Sequence, residues 1–301
     1  MNIFCTKAWN DFMCKMNTHI RTEQLSLFEM GDIFFSEWSF LGFKKWILYG
    51  TTCDKEDKLV DMIIKSALKR GIFAIESNFN MARWRKRDYF EKVGKITKEF
   101  GTYVIDLSES EDKLWERVHS KHRNVIRRAI KEGVEINLKL NINDFLNLLI
   151  YTYSKGGQKN PLNYDYLQSL MDTLSNNIIV AGAYHDGKLQ SGIIVPYDEK
   201  RGYYLHGATA PNAILGSSNL LQWEIMKILK NKGVKEYDFG GARLVTDDPR
   251  LNGIFKFKER FGGRFIDCYY WEIVLRPLQY KIIEKIRLTR DRIRHVSIYN
   301  R

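Results

Sequence analysis

A carboxylate, two glycines and two lysines in the carboxyl-terminal part of the chain have the residue types of a ligand site. Asp238 lies at the carboxyl end of a predicted strand and is followed by Gly240 and Gly241. In α/β sheets, ligand-binding groups collect at the carboxyl ends of strands. A carboxylate at this place can position a substrate amine, or it can bond to nearby backbone. Lys256 and Lys258 follow on a short helical segment, and because they are two residues apart, only one of them can face a cleft.

The start of a predicted helix over Ser217–Asn231 is a second candidate site. A strand leads the chain to Gly216, and the helix begins directly at Ser217 and Ser218. Exposed amides at a helix N-terminus favour an anionic or carbonyl-bearing ligand, but these serines can equally be simple helix caps. His206, on the preceding strand, is either a ligand contact or a histidine of the core.

The strongest charge pattern lies in a predicted helix over Lys113–Glu132. Apolar residues recur on one side with helical spacing, and basic residues occupy the other side. Arg123 and Arg127 lie one turn apart and can converge on one phosphate group, with Lys121 close by. The same pattern also fits a helix face that contacts only water.

Metal and redox chemistry find no support in the sequence. The cysteines are scattered and never reach CxxC spacing; they are Cys5, Cys14, Cys53 and Cys268. His119 and His122 lack acidic or cysteine companions, so we interpret them as partly buried histidines. We therefore predict no metal site.

Composition indicates a folded, basic protein. Of 301 residues, 44% are hydrophobic, 13% are aromatic and only 5 are proline, which excludes a disordered or collagen-like chain. The net charge of +12 is compatible with nucleic acid, anionic lipid surfaces or phosphorylated small molecules. Charged residues interrupt the first apolar stretch, and no apolar run is long enough to span a membrane, so we expect a cytoplasmic protein.

Strands and helices alternate along the chain and predict an α/β (or α+β) fold with two domains. We place the first domain at residues 1–140 and the second at 141–275, with a basic helix at 276–301 that packs back on the first. The prediction includes a helix over Arg85–Phe100, a helix capped by Ser108, and a three-stranded meander that ends with Tyr203–Ala208.

Four motifs follow one another between Trp115 and Gly263, namely Trp115…Lys121-His-Arg-Asn…Arg127-Arg-Ala…Gly133, Leu220-Leu-Gln-Trp-Glu, Tyr237-Asp-Phe-Gly-Gly and Phe257-Lys-Glu-Arg-Phe-Gly-Gly. In this order they resemble the Fem family, the aminoacyltransferases that build peptidoglycan interpeptide bridges from aminoacyl-tRNA. Residues 1–100 match the family only in general layout. The resemblance implies two acetyltransferase-like (GNAT-like) domains, each with a mixed central sheet flanked by helices.

The resemblance also implies roles for single residues. Lys258 matches the family's lysine and would stabilise the oxyanion that forms when an amine attacks an aminoacyl ester, a reaction that needs neither a cofactor nor a covalent enzyme intermediate. Basic groups would hold phosphates of the acceptor or of the tRNA. The predicted substrate-binding residues are Lys121, Arg123, Arg127, Tyr204, His206, Ser217, Ser218, Asn219, Trp223, Asp238, Gly240 and Gly241.

The sequence is compatible with three functions. The first is transfer from aminoacyl-tRNA to a phosphate-bearing nucleotide- or lipid-linked precursor by a monomer, with peripheral contact at the inner face of the membrane. The second is an acyl-CoA-dependent N-acyltransferase that acts on a sugar or peptide amine, although the usual acetyltransferase pyrophosphate loop is absent before Ser217. The third is a non-catalytic module that binds nucleic acid or a membrane surface through the basic helices.

Overall fold

The computed structural model describes residues 2–16, 21–26, 32–51, 56–77, 83–157, 159–241 and 247–299. The chain forms two compact units. The first unit consists of Met1–Met16 and Glu99–Cys268, and the second unit consists of Asn17–Lys98 and Tyr269–Arg301. Cys53 lies outside the described residues; of the other three cysteines, Cys5 and Cys268 are buried and Cys14 is exposed.

The described secondary structure alternates between helices and strands. The helices are α1 (Lys7–Met16), α2 (Glu56–Lys69), α3 (Arg87–Val93), α4 (Glu111–Arg117), α5 (Ser120–Lys131), α6 (Ile142–Lys155), α7 (Tyr164–Thr173), α8 (Ser217–Asn231), α9 (Pro249–Glu259) and α10 (Pro277–Tyr299). The strands are β1 (Arg21–Ser26), β2 (Asp32–Phe40), β3 (Phe43–Thr51), β4 (Ala74–Ser77), β5 (Lys95–Asp106), β6 (Glu135–Asn137), β7 (Ile178–His185), β8 (Lys188–Pro196), β9 (Arg201–Tyr203), β10 (His206–Thr209), β11 (Glu236–Asp238) and β12 (Arg264–Val274). In the part of the chain that is described, no helix combines the length and apolar character needed to cross a membrane.

The first unit contains two groups of paired strands. One is an antiparallel sheet with the strand order β10-β8-β7-β6. In the other, β11 lies between β9 and β5, parallel to β9 and antiparallel to β5. Helix α8 is apolar on most of its surface and packs against β7, β8 and α5, which places Leu220, Ile225 and Leu229 in one core with Ile126 of α5. This core holds the elements that carry the predicted site residues.

The second unit has a mixed sheet in which β1, β2, β3, β4 and the end of β12 are neighbours in that order. Strands β3 and β4 are parallel and are joined by α2, and the other pairs are antiparallel. Its core is rich in aromatic rings, with Trp46, Trp84 and Trp271 fully buried. The ring of Phe90 stacks on Trp271 at a centroid distance of 4.6 Å.

The compact units divide the chain at other places than the sequence predicts. The predicted boundary at 140/141 would separate α4, α5 and β6 from the strands that follow them. These elements instead bury Leu114, Ile126 and Ala129 in the same core as β7, β8 and α8, and therefore belong to the first unit. Helix α10 belongs to the second unit, where the Tyr280 ring lies 6.4 Å from that of Phe73.

The predicted helix over Lys113–Glu132 is two helices in the structure. Helix α4 ends at Arg117, and α5 begins after His119, whose ring nitrogen Nδ1 accepts a hydrogen bond from the amide of Lys121 at 3.1 Å. The amide of His119 donates to the carbonyl of Arg260 at 2.8 Å. A contact that is remote in sequence thus fixes the break, and helical periodicity could not reveal it.

Two other predicted helix boundaries are wrong. The helix predicted over Arg85–Phe100 is only α3, and the chain is extended from Lys95 onward in β5. The predicted cap Ser108 donates its amide and hydroxyl to the carboxylate of Asp106, and Ser110 caps α4 instead.

The predicted third strand of the meander divides between two sheets. Within Tyr203–Ala208, the first residue ends β9, which pairs with β11, and β10 begins at His206 and pairs with β8. Tyr204 and Leu205 therefore cross from one sheet to the other. Alternation of side chains predicts a strand but does not identify its partner.

We predict that Gly216→Ala destabilises the first unit far more than Gly233→Ala. Both glycines have positive φ, 96° and 81°, so both alanines carry a conformational cost of about 1 kcal/mol. A Cβ at Gly216 would also lie 2.1 Å from the carbonyl oxygen of Val125, whereas nothing lies within 4 Å at Gly233. In urea unfolding we expect Gly216→Ala to lower the unfolding free energy by at least about 3 kcal/mol. Equal losses in the two variants would contradict the close packing of this loop on α5.

Candidate active site

The parallel pairing of β9 and β11 creates the edge on which the site is built. Tyr203 and Asp238 are register partners, so both strands end side by side. The amide of Tyr204 donates to the carbonyl of Asp238 at 2.9 Å and holds the two chains together as they leave the sheet. Tyr204 and Gly240 are thereby brought to the same edge.

Asp238 shapes the diglycine turn that follows it. Its carboxylate is completely buried, and Oδ1 accepts hydrogen bonds from the amide of Gly240 at 2.8 Å and from the hydroxyl of Thr102 at 2.6 Å. The Thr102 hydroxyl also lies 3.0 Å from the Gly240 carbonyl oxygen. On the other side, Nη1 of Arg201 lies 3.8 Å from Oδ2. Of the two roles left open by the sequence, the structure shows the bond to nearby backbone.

Lys258 is buried beside this turn, with only 7% of its surface exposed. Its ammonium group donates to the carbonyl of Gly240 at 3.2 Å and to that of Gly241 at 3.0 Å. It also lies 5.8 Å from the centre of the Tyr204 ring, within the range of a cation–π contact. Lys256, two residues earlier on α9, is exposed, as the spacing predicts.

The local sequence places Lys258 through the geometry of α9. Asp248 caps the helix by accepting hydrogen bonds from two amides of the first turn, and Pro249 occupies the first helical position. Phe261, after the helix, packs on Phe239 with a centroid distance of 4.8 Å. The end of α9 is thereby anchored in the core next to the strand that carries Asp238.

The buried phenol of Tyr237 and the half-buried phenol of Tyr204 share one side-chain amide behind the turn. Tyr237 donates to Oε1 of Gln222 at 2.7 Å, and Gln222 also forms a hydrogen bond with Tyr204. Burial raises the pKa of Tyr204 to about 12 and raises that of Tyr237 well above its ordinary value. Both phenols stay protonated at neutral pH and can act only as neutral hydrogen-bonding groups.

His206 is also neutral at physiological pH. Burial lowers its pKa to about 4, and its Nε2 atom lies 3.3 Å from the hydroxyl of Tyr166 on α7. The rings of these two residues meet edge to face with centroids 5.7 Å apart. A neutral imidazole on β10 can exchange a hydrogen bond without adding charge to the site.

The start of α8 is tied to the preceding loop. Gly216, in a left-handed conformation, is the cap residue, and no side chain caps the helix. The amide and hydroxyl of Ser217 both donate to the carbonyl of Ile214, at 3.1 and 2.7 Å. The Ser217 hydroxyl therefore does not cap the helix, because it bonds to the loop and not to an amide of the helix. Ser218 is half-buried and Asn219 buried in the first turn.

The basic face of α5 is arranged differently from a simple phosphate clamp. The Arg123 guanidinium donates to the carbonyls of Glu116 at 2.8 Å and Val118 at 2.7 Å, so it closes the end of α4. Arg127 lies 5.4 Å from the ring of Trp115, which in turn packs on Trp223 at 4.9 Å. This bonding ties Arg123 to the protein and leaves Arg127 and the exposed Lys121 at the surface.

The structure thus brings together one group of the predicted residues, namely Tyr204, Asp238, Gly240, Gly241 and Lys258. Sequence reasoning missed Thr102, Gln222 and Tyr166. Gln222 stands inside the Leu220-Leu-Gln-Trp-Glu motif, so the sequence did carry a signal for it. Thr102 and Tyr166 carry no local signal, because each reaches the site only through tertiary pairing.

Comparison with known proteins relates the chain to acyl-transfer enzymes. The acetyltransferase (GNAT) domain family matches residues 120–258. The lipid II:glycine glycyltransferase of Staphylococcus haemolyticus (strain JCSC1435) is 30% identical over 114 residues, which cover 36% of this chain and 27% of that protein. The chain therefore spans about a quarter of the length of the curated relatives that it matches.

Solved structures share the fold over almost the whole chain. The crystal structure of FemX superposes with a TM-score of 0.79 at 15% identity and covers 94% of both chains. The structure of L-PGS from Bacillus licheniformis gives a TM-score of 0.57 at 12% identity, over 93% of this chain and 96% of that one. The α/β fold with two GNAT-like domains and the resemblance to the Fem family are confirmed.

His122 provides a pH-dependent test of the packing around α9. Its Nε2 atom lies 3.2 Å from the carbonyl oxygen of Phe257, and its ring packs on Phe261 at 4.8 Å. Burial, with smaller effects of Arg260 and His119, lowers its pKa from 6.5 to about 4. Between pH 6.5 and pH 4, the unfolded chain therefore binds more protons at this position than the folded chain does. The unfolding free energy falls as the pH falls through this range.

We expect His122→Gln to reduce this acid sensitivity by an amount on the order of 2 kcal/mol. The measurement is the unfolding free energy at pH 7 and near pH 4.5. The variant His122→Gln/His206→Gln should flatten the dependence further. A slope that is identical in the wild type and both variants would show that neither imidazole is buried in its neutral form.

Proposed function

Taking the chain as Fem-like in motifs and fold, we propose that it is an aminoacyltransferase. It moves an amino acid from an aminoacyl-tRNA to an amine of a peptidoglycan-type, cell-wall or lipid-linked precursor and forms an amide bond. The observation that carries the proposal is the buried ammonium group of Lys258, held by the carbonyls of Gly240 and Gly241.

The two carbonyls orient the ammonium group without opposing it with a full charge, because they are dipoles. A preorganised cation in a site shielded from solvent stabilises negative charge much more strongly than it would in water. The diglycine turn itself is fixed by Asp238 and Thr102, so little rearrangement is needed during the reaction. These are the properties required of an oxyanion-stabilising group.

The reaction then follows the chemistry of ester aminolysis. The acceptor amine attacks the carbonyl carbon of the aminoacyl ester, and the carbonyl oxygen becomes an oxyanion next to Lys258. When this intermediate collapses, the carbon–oxygen bond to the tRNA ribose breaks, the amide remains, and the ribose oxygen takes up a proton while the amine loses one. The exchange of an ester for an amide is downhill and proceeds without a covalent enzyme intermediate.

The names of the relatives and the charge of the chain support a phosphate-bearing acceptor. The curated relatives are named for lipid II and glycine, a phosphate-bearing precursor and an amino acid. Basic side chains at the surface of α5, Lys121 and Arg127, are suited to phosphates of such an acceptor or of the tRNA. We assign the acceptor to this class.

Two observations favour a tRNA-borne donor over coenzyme A. The sequence before α8 lacks the usual pyrophosphate loop. In its place, the Ser217 amide is already bonded to Ile214, and Gly216 packs against the Val125 carbonyl. Both features reduce the room and the free amides for a pyrophosphate.

An acyl-CoA-dependent N-acyltransferase is the second candidate, since the acetyltransferase (GNAT) domain family matches residues 120–258. In this case acetyl-CoA or another acyl-CoA would be the donor, and a sugar or peptide amine would be the acceptor. The use of Lys258 would be the same, because an attacked thioester also develops an oxyanion.

We predict that Lys258→Met lowers kcat by about 10²–10³-fold with little change in KM. Methionine keeps the length of the side chain and removes the charge. Lys256→Met on the same helix is the matched control, because Lys256 is exposed, and it should leave kcat unchanged. Thermal unfolding of both variants checks the fold. Full turnover in a folded Lys258→Met protein would remove this residue from the mechanism.

Incubation of the protein with a mixed pool of charged tRNA and candidate precursors tests which acyl donor it uses. We expect a product whose mass increases by one amino acid residue, and we expect ribonuclease treatment of the tRNA to abolish it. Acetyl-CoA should cause no saturable shift in the melting temperature. A saturable shift together with ribonuclease-resistant acylation would favour the second candidate.

A further inference from the structure

The turn between β2 and β3 exposes apolar side chains at a backbone position that leucine rarely occupies. Leu41 and Gly42 both have positive φ, 48° and 79°, as in a tight hairpin. Leu41 is 72% exposed and its neighbour Phe40 is 43% exposed. Asparagine or glycine would suit both the conformation and the solvent better. Folding of the second unit gives no reason for a leucine here.

Helix α10 carries an apolar stripe on its outer face. Leu278, Ile282 and Ile286 follow each other at intervals of four residues, and all three are exposed. The opposite side is turned inward, where Tyr280 and Ile283 are half-buried. Since the helix already has a buried face, the outer stripe is not needed for packing within the unit.

Lysines accompany this stripe. Lys281 and Lys285 are exposed next to Ile282 and Ile286, and among the described residues neither side chain forms an ion pair or hydrogen bond. Alternation of exposed apolar residues with free cations on one helix face is typical of segments that lie in the interface of an anionic membrane.

The hairpin tip and α10 form one surface. A cavity of about 280 Å³ lies between them and is lined by Trp38, Phe40, Tyr280 and Ile286, among others. We call the exposed residues of the hairpin tip and of the outer face of α10 the hairpin–helix surface; they are Phe40 and Ile286, which line the cavity, and Leu41, Leu278, Lys281, Ile282 and Lys285.

We propose that the hairpin–helix surface of the second unit binds the headgroup region of an anionic lipid bilayer. The apolar side chains enter the interface, and Lys281 and Lys285 meet the lipid phosphates. A soluble polyanion would use the lysines but would leave Leu41 and Leu278 in water. A second copy of the same surface would bring the lysines of both copies together, because a twofold contact pairs a patch with itself. The proposal goes beyond aminoacyl transfer and does not require Lys258.

The test is flotation of the full chain with vesicles of phosphatidylglycerol and phosphatidylcholine, compared with vesicles of phosphatidylcholine alone. We expect binding only to the anionic vesicles, weakened by salt. Lys281→Gln/Lys285→Gln should weaken it about thirtyfold, since each lysine near an anionic surface contributes about a factor of five. Leu41→Asp and Ile282→Asp should each weaken it by more than about tenfold.

Matched controls lie in the first unit. Leu138 is 55% exposed, and Leu138→Asp should leave vesicle binding unchanged, as should Lys155→Gln/Lys188→Gln at exposed positions. Loss of binding in these controls would overturn the proposal. If the lysine variant weakens binding and Leu41→Asp does not, the surface is a polyanion site and the proposal is overturned. A dimer in sedimentation equilibrium that Leu41→Asp dissociates would overturn it as well. Transfer to a water-soluble acceptor should persist in all these variants, which separates this proposal from the proposed function.

Discussion

The position of the Lys258 ammonium group depends on the backbone carbonyls of Gly240 and Gly241, which accept its hydrogen bonds. These carbonyls are available because Asp238 controls the turn before them. Its buried carboxylate takes the Gly240 amide and the Thr102 hydroxyl, and Gly240 adopts a positive φ that suits a residue without a side chain. The carboxylate therefore positions the Lys258 ammonium group indirectly, through the backbone of the turn.

The site exists because the chain changes sheets between Tyr203 and His206. A continuous third strand in the meander would have kept Tyr204 within one sheet. The change instead pairs β9 with β11 and places Tyr204 beside the end of β11. The Lys258 ammonium group lies over the ring of Tyr204. Burial keeps the phenol of Tyr204 protonated and the imidazole of His206 neutral, so neither adds a negative charge that would compete for the cation.

The fold alone does not decide the acyl donor, since proteins of one fold carry out many reactions. The local structure at α8 is more informative, because Ser217 bonds to Ile214 and Gly216 packs against α5.

The second unit contributes a different property. Its exposed leucines and lysines on α10 are suited to a surface and not to a small molecule.

The sequence by itself determined the α/β class and most helices and strands, because periodicity and glycine stops are local properties, and the resemblance of its motifs to the Fem family singled out Lys258. It did not determine the break at His119, the use of Arg123 to close α4, the division of Tyr203–Ala208, or where the compact units begin and end. Each of these depends on hydrogen bonds or buried contacts between residues far apart in the chain. Pairing of that kind is decided only when the tertiary structure brings the partners together.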